Sequence, residues 1–279
     1  MPETASLSDH ERFIGSPLSL APVGHARPVV LARLLGGFRV AIDHTPVPLG
    51  TSRRTRSLLA FLIDRGGRPI PRDVLMDVFW PTSAPSAARN SLHVAMCGVR
   101  KALARAWPGE VIVCQGDVYR FSEHIDVWSD VIELERRCEQ ATAARAEGRL
   151  TDAVSDYEAA LALYGGEFLA TDPYLEWALD RREELRQRAV ACADGLGELH
   201  LEQGDLHRAL VVSSQVLREE PCHEPVARRL MVTYARLGQP HMALRQFDRI
   251  VEVLDRELGV DPAPETVRLA EVIRRRVAV

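Results

Sequence analysis

The spacing of apolar and polar positions changes period several times along the chain, and each change marks an element. Residues 1–27 are rich in Ser, Pro, Gly and His and hold no sustained period, which predicts a mobile tail. Val29 to Val40 alternates loosely around Gly36-Gly37. It predicts two short strands, with Pro46-Val47-Pro48-Leu49 leading to a possible third. The period then becomes helical. Thr51 or Ser52 can cap a helix in which Leu58, Leu59, Leu62 and Ile63 share a face, and Gly66-Gly67 stops it. A short second helix after Pro71 contains Val74, Leu75, Val78 and Phe79 and ends at Pro81. A third and longer one runs from near Ser86 to about Arg105 and is closed by Pro108-Gly109. Val111 to Cys114 and Val118 to Phe121 then flank Gln115-Gly116-Asp117 as a hairpin.

Strands, three helices and a hairpin within 28–125 form the plan of a winged helix-turn-helix. From Asp126 onward no strand is predicted. The segment 126–279 reads as consecutive helices, and aligning its glycines exposes a repeat. Gly148, Gly204 and Gly238 are each followed five residues on by Ala153, Ala209 and Ala243, then four further on by Tyr157, Ser213 and Phe247. Gly204 and Gly238 are one tetratricopeptide period apart. A small residue lets paired helices approach, and pairs stack because one alone cannot bury its apolar face. An unrelated helical bundle is the competing reading. The expected fold class is thus an α+β winged helix-turn-helix followed by an all-α tetratricopeptide-like domain.

The third helix carries the candidate chemistry. At about 100° per residue, Ala88, Leu92, Ala95, Met96, Val99 and Leu103 cluster as a core face. Asn90, His93, Val94, Cys97, Lys101 and Arg105 lie roughly opposite, with Arg89 and Arg100 at the boundary, and no Asp or Glu occurs from Ser86 to Arg105. This set suits a helix in the major groove. Asn pairs bidentately with adenine, Arg or Lys with guanine, and small or apolar side chains approach a thymine methyl. A solvated basic face is the plainer alternative. Arg53, Arg54 and Arg56 crowd the start of the first helix, where cations oppose the helix dipole. Phosphate contact explains them better than local stability does. Arg120 on the hairpin is placed to touch phosphate or enter a minor groove.

Charge sharpens this division. The net charge of −4 hides −1 over 1–27, +6 over 28–125 and −9 over 126–279. A basic block ahead of an acidic one suits a polyanion at the first only. Lys101 is the one lysine, a bias that GC-rich codons also explain. The five cysteines, Cys97, Cys114, Cys138, Cys192 and Cys222, are odd in number, widely spaced and without a CxxC. They are expected to be reduced thiols in a cytosolic protein, without zinc. No apolar run is long enough to span a membrane, and the start has neither the charge nor the apolar core of a secretory signal. P-loop, GxSxG and HExxH patterns are lacking, so neither enzyme activity nor a cofactor is expected.

Several segments resemble the Streptomyces antibiotic regulatory protein family. They are Leu34 to Val40, Arg54 to Leu62, Val74-Leu75, Phe79-Trp80-Pro81, Ala87 to Val94, Val99 to Leu103, Tyr119-Arg120-Phe121 and Ile125-Asp126-Val127. Further along stand Leu163 to Leu169, Trp177, Glu257 to Pro262 and Pro264-Glu265. The resemblance covers about 29–275. It departs at Gln115-Gly116-Asp117-Val118, where many relatives have a second glycine before the tyrosine. It implies an OmpR-like winged helix over 28–125 and a bacterial transcriptional activation domain over 126–279. It also implies a short, pathway-specific member without receiver or ATPase. The implied activity is binding to direct repeats in double-stranded promoter DNA, as a homodimer or tandem copies. RNA polymerase holoenzyme is then recruited through its sigma factor, in the bacterial cytoplasm at the nucleoid, for secondary metabolism. The alternative is a protein-interaction adaptor in which the basic domain is structural.

Overall fold

The computed structural model describes residues 27–275, so the expected mobile tail lies, apart from Arg27, outside the described residues. The chain forms two compact units. The first takes the described part of 1–135 together with Ala162–Leu185, and the second takes Arg136–Leu161 and the residues from Arg186 on.

In the first unit, β1 (Val29–Arg33), β2 (Arg39–Ile42) and β3 (Thr45–Pro46) form an antiparallel meander. Helix α1 (Arg53–Asp64) starts at Ser52, whose hydroxyl accepts from the Thr55 backbone N–H at 3.3 Å. Then come β4 (Ile70–Pro71), α2 (Arg72–Phe79), α3 (Pro85–Leu103), β5 (Ile112–Gln115) and β6 (Val118–Phe121). The strands β4, β6 and β5 make a second small sheet, with β5 and β6 joined by the two-residue turn Gly116-Asp117. Helix α1 packs on α3 through a close approach: a Cβ at Gly98 would lie 2.7 Å from the Thr55 hydroxyl oxygen. Six consecutive α1 residues, Leu58 to Ile63, are buried, so this helix is covered on more than the single face its periodicity implies.

One covering element is a strand absent from the sequence reading. β7 (Asp126–Ser129) adds to the first sheet parallel to β1 and corrects the expectation of no strand after Asp126. Four residues are too few to display alternation, and the partner strand lies far back in the chain. The other covering element is Ala162–Leu185, which by sequence belongs to the helical domain. Phe168 is 1% exposed. The Leu169 N–H donates to the Leu34 carbonyl at 2.7 Å, and the Gly36 N–H to Glu167 at 2.9 Å. Trp177 meets Phe61 and Phe168 edge-on, at 5.1 and 5.8 Å between centroids, and donates its indole N–H to the Ser57 hydroxyl at 2.8 Å. Arg181 bridges the buried Asp64 at 3.0 Å and Glu135 at 2.9 Å. The compact units therefore do not divide at residue 125.

The second unit is built from α4 (Asp130–Ala146) beyond Glu135, α5 (Leu150–Leu163) up to Leu161, and α6 (Leu179–Glu202) from Arg186. They are followed by α7 (Leu206–Glu219), α8 (Glu224–Arg236), α9 (Pro240–Leu258) and α10 (Pro264–Arg274). Gly148, Gly204 and Gly238 occupy the turns between paired helices with φ of 75°, 80° and 73°, a left-handed conformation that favours glycine. The three following alanines are fully buried, and α7, α8, α9 and α10 pack in succession. Val216, Val226, Ala227, Leu230, Ile250 and Leu254 share one apolar cluster. Helices α4 and α6 bring Cys138 and Cys192 together as a disulfide, with Cα atoms 6.2 Å apart. This pair corrects the expectation of five reduced thiols. A separation of 54 residues hid it, while Cys97, Cys114 and Cys222 are free.

Candidate nucleic-acid interface

The third helix divides as its periodicity requires. Ala88, Leu92, Ala95, Met96, Val99 and Leu103 are buried, while Arg89, Asn90, His93, Val94, Cys97 and Lys101 are exposed. Val94 is 71% exposed, an apolar side chain held in water in the middle of the stripe. The Cys97 sulfur lies 3.6 Å from His93 Nε2, one helical turn away, so the two side chains orient each other. Arg89 and Lys101 have no hydrogen-bond or ion-pair partner among the described residues. The stripe thus offers amide, imidazole, thiol, methyl and cation side by side, and α3 holds no carboxylate.

Arg100 and Arg120 are placed differently. Arg100 is half-buried and its Nε donates to the Ile112 carbonyl at 3.1 Å, tying α3 to β5. Arg120 is held on the hairpin by Gln115 at 3.1 Å and Glu123 at 2.7 Å. Arg72 was not singled out from the sequence. It pairs with Asp117 in the β5–β6 turn at 2.7 Å, and its backbone N–H donates to the Asp117 carbonyl. Burial pushes the Tyr119 phenol above its usual range, and Arg72 beside it pulls the other way.

The three arginines of α1 all have protein partners. Arg56 donates to Asp172 at 2.9 Å, and Arg53 approaches the same carboxylate at 3.4 Å. Arg54 donates to the Phe79 carbonyl at 2.9 Å and lies over the Trp80 ring at 5.2 Å. Phosphate contact is the role expected for these cations at a helix start. Asp172 and Trp80 supply partners within the protein, and Arg53, 54% exposed, also remains open to a further anion. Asp172 had no sequence signal, because it sits in a short irregular segment without periodicity. Arg182 fixes that segment by donating to the carbonyls of Phe168 at 2.8 Å and Pro173 at 2.7 Å.

Asp130 anchors the start of α4 beneath the β1–β2 connection. Its carboxylate accepts from the backbone N–H groups of Leu34 at 2.8 Å, Leu35 at 3.0 Å and Val131 at 3.0 Å. Burial outweighs these donors and pushes its carboxyl up to about 6. Among the described residues no group of three His, Cys, Asp or Glu is disposed to hold a metal, and no helix is long and apolar enough to cross a membrane.

Residues 129–274 match the family described as "Bacterial transcriptional activator domain". The transcriptional regulatory protein EmbR of Mycobacterium tuberculosis is 29% identical over 248 residues, covering 87% of this chain and 63% of EmbR. The regulatory protein DnrI of Streptomyces peucetius is 26% identical over 233 residues, covering 80% of this chain and 85% of DnrI. The regulatory protein AfsR of Streptomyces coelicolor is 28% identical over 240 residues, which are 86% of this chain and 24% of AfsR. This chain therefore spans less than two thirds of EmbR and about a quarter of AfsR. The solved structure of Mycobacterium tuberculosis EmbR in complex with a low affinity phosphopeptide is similar with a TM-score of 0.77 and 27% identity. It covers 90% of this chain and 66% of that one.

Proposed function

The chain belongs to the bacterial transcriptional activator domain family, within the Streptomyces antibiotic regulatory protein group, and from that membership we propose that it is a sequence-specific DNA-binding transcriptional activator. In this reading α1, α2, α3 and the β5–β6 hairpin act as a winged helix-turn-helix. Helix α3 enters the major groove and the hairpin lies against the backbone beside it.

The observation that carries the reading is the exposed stripe Asn90, His93, Val94, Cys97 and Lys101 on a helix without carboxylates. Asn90 reads a base edge, Val94 contacts a thymine methyl, and Arg89 and Lys101 meet guanine or phosphate. Arg53 and Arg120 lend backbone contacts. The helical segment 126–279, with its net charge of −9, meets protein instead: RNA polymerase through its sigma factor, and a second copy bound in tandem on a direct repeat. The regulated genes serve secondary metabolism.

The test is a promoter-binding assay at several salt concentrations. Asn90→Ala is expected to cost about 1–3 kcal/mol at the specific site and to relax preference at one base pair. Unchanged affinity together with unchanged preference removes α3 from the readout. Binding to DNA that is absent, or indifferent to salt, favours the adaptor reading. Direct repeats one turn apart, about 10–11 bp, present both copies to the same side of the duplex. Inserting about 5 bp is then expected to abolish cooperative binding, and about 10 bp to restore part of it.

A further inference from the structure

Within the first unit a cavity of about 580 Å³ opens between the first turn of α1, the turn after α2 and residues 174–177. It is distinct from the α3 stripe, and its volume falls in the range of about 300–1,000 Å³ that accommodates small-molecule ligands. Three features describe what it can hold. The first is its aromatic lining. Trp177 and Phe79 pack at 6.3 Å between centroids, and Trp80 joins them at 5.9 Å from Phe79. Tyr174, also lining the cavity, is 84% exposed. A phenol ring left in water forgoes most of the contact area such a side chain gains when it is covered.

The second feature is positive charge. The first turn of α1 carries no acidic residue, and the Ser52 hydroxyl that caps it is neutral, so the helix start itself brings no negative charge to the cavity. Arg53 lines the same cavity, and its hold on Asp172 is long, so an incoming carboxylate can share its guanidinium. The third feature is Glu176, an exposed carboxylate on the lining with no partner among the described residues, which accepts from a hydroxyl or amine.

We propose that this cavity is a binding site for a planar aromatic acid of about two or three fused rings that also carries a hydroxyl or amino donor. The rings lie against Tyr174 and the indoles, the carboxylate meets Arg53, and the donor meets Glu176. Arg54 is already engaged by Trp80 and the Phe79 carbonyl and serves as part of the wall.

The experiment titrates hydroxynaphthoate into the purified full chain, read by calorimetry and by tryptophan fluorescence. Its methyl ester is the neutral control. The expected result is saturable one-to-one binding, weakened about tenfold for the ester and about tenfold by Tyr174→Ala. Arg53→Gln is expected to erase the preference for acid over ester while leaving the ester's affinity in place. Tyr174 and Arg53 are exposed, and matching thermal transitions of the variants establish that both fold. Non-saturable binding overturns the assignment. So does equal affinity for acid and ester in the wild-type chain, or affinity unchanged by both substitutions. No DNA enters the assay, so its failure is separate from failure of the DNA-binding reading.

Discussion

Replacing Phe168 by Ala tests whether Ala162–Leu185 is energetically part of the first unit. Phe168 is among the largest fully buried side chains, and its neighbours include Trp177 and the bridge to Leu35. Truncating a buried phenylalanine costs about 3–5 kcal/mol, from lost transfer free energy and the cavity left behind. With a urea dependence of about 2 kcal/mol per molar, the unfolding midpoint falls by about 1.5–2.5 M. The protein supplies its own reporter. All four tryptophans, Trp80, Trp107, Trp128 and Trp177, belong to the first unit, so intrinsic fluorescence follows that unit alone. The comparison is Leu230→Ala, a truncation of similar size in the second unit's core, read by far-UV circular dichroism. Phe168→Ala is expected to move the fluorescence transition much further than Leu230→Ala does. If the fluorescence midpoint stays in place for Phe168→Ala and moves for Leu230→Ala, the segment owes its order to the helical unit and the reasoning fails.

Three further outcomes follow from individual side chains. Because the folded chain holds the Asp130 proton up to about pH 6 while the unfolded chain releases it near 3.8, this group's contribution to stability is greatest at low pH and is lost as pH rises through 6. The swing is about 3 kcal/mol, so the stability of wild type relative to Asp130→Asn is expected to fall by about that amount from pH 4 to pH 7 in urea titrations, and parallel curves would falsify it. Gly98→Ala places a methyl against Thr55 and is expected to destabilise by about 1–3 kcal/mol despite better helix propensity. Adding Thr55→Ala recovers part of that loss, and strict additivity of the two changes argues against the contact. Asp172→Asn breaks a partly exposed ion-pair cluster at a cost of about 1 kcal/mol or less. If Arg53 and Arg56 then reach phosphate, the salt dependence of DNA binding steepens by about one to two units, and an unchanged slope confines them to the protein.

The parts legible in the sequence are those whose causes are local. Helix α3 declares its buried and exposed faces within one run of nineteen residues, because every third or fourth position repeats the same environment. The β5–β6 hairpin is legible because its turn and both strands are contiguous. The helix pairs announce themselves through glycines whose left-handed turns recur at fixed offsets from buried alanines. What stayed hidden depends on partners distant in the chain. β7 has four residues and no pattern of its own, and it is a strand because β1 offers an open edge. Asp172, Trp177 and Arg181 lie in or beside an irregular stretch, and their meaning comes from Arg56, Ser57 and Asp64 on α1.

The α1 arginines show where local reasoning has a real but limited reach. Cations at a helix start are locally unfavourable, and that rule holds whatever relieves it. It can therefore demand a compensating anion or π face without choosing between a phosphate outside the protein and a carboxylate within it. The fold answers differently for each residue. Arg56 is half-buried against Asp172 and Arg54 is committed to Trp80 and the Phe79 carbonyl, so both fasten the core. Arg53 keeps half its surface in solvent and only a long contact to Asp172, so its guanidinium can turn toward a ligand without breaking a close bond. A single substitution separates these roles. Arg56→Gln is expected to lower the stability of the first unit, read by tryptophan fluorescence, whereas Arg53→Gln leaves it nearly unchanged and acts on anion binding. Equal destabilisation by the two would mean that exposure does not distinguish the fastening arginines from the available one.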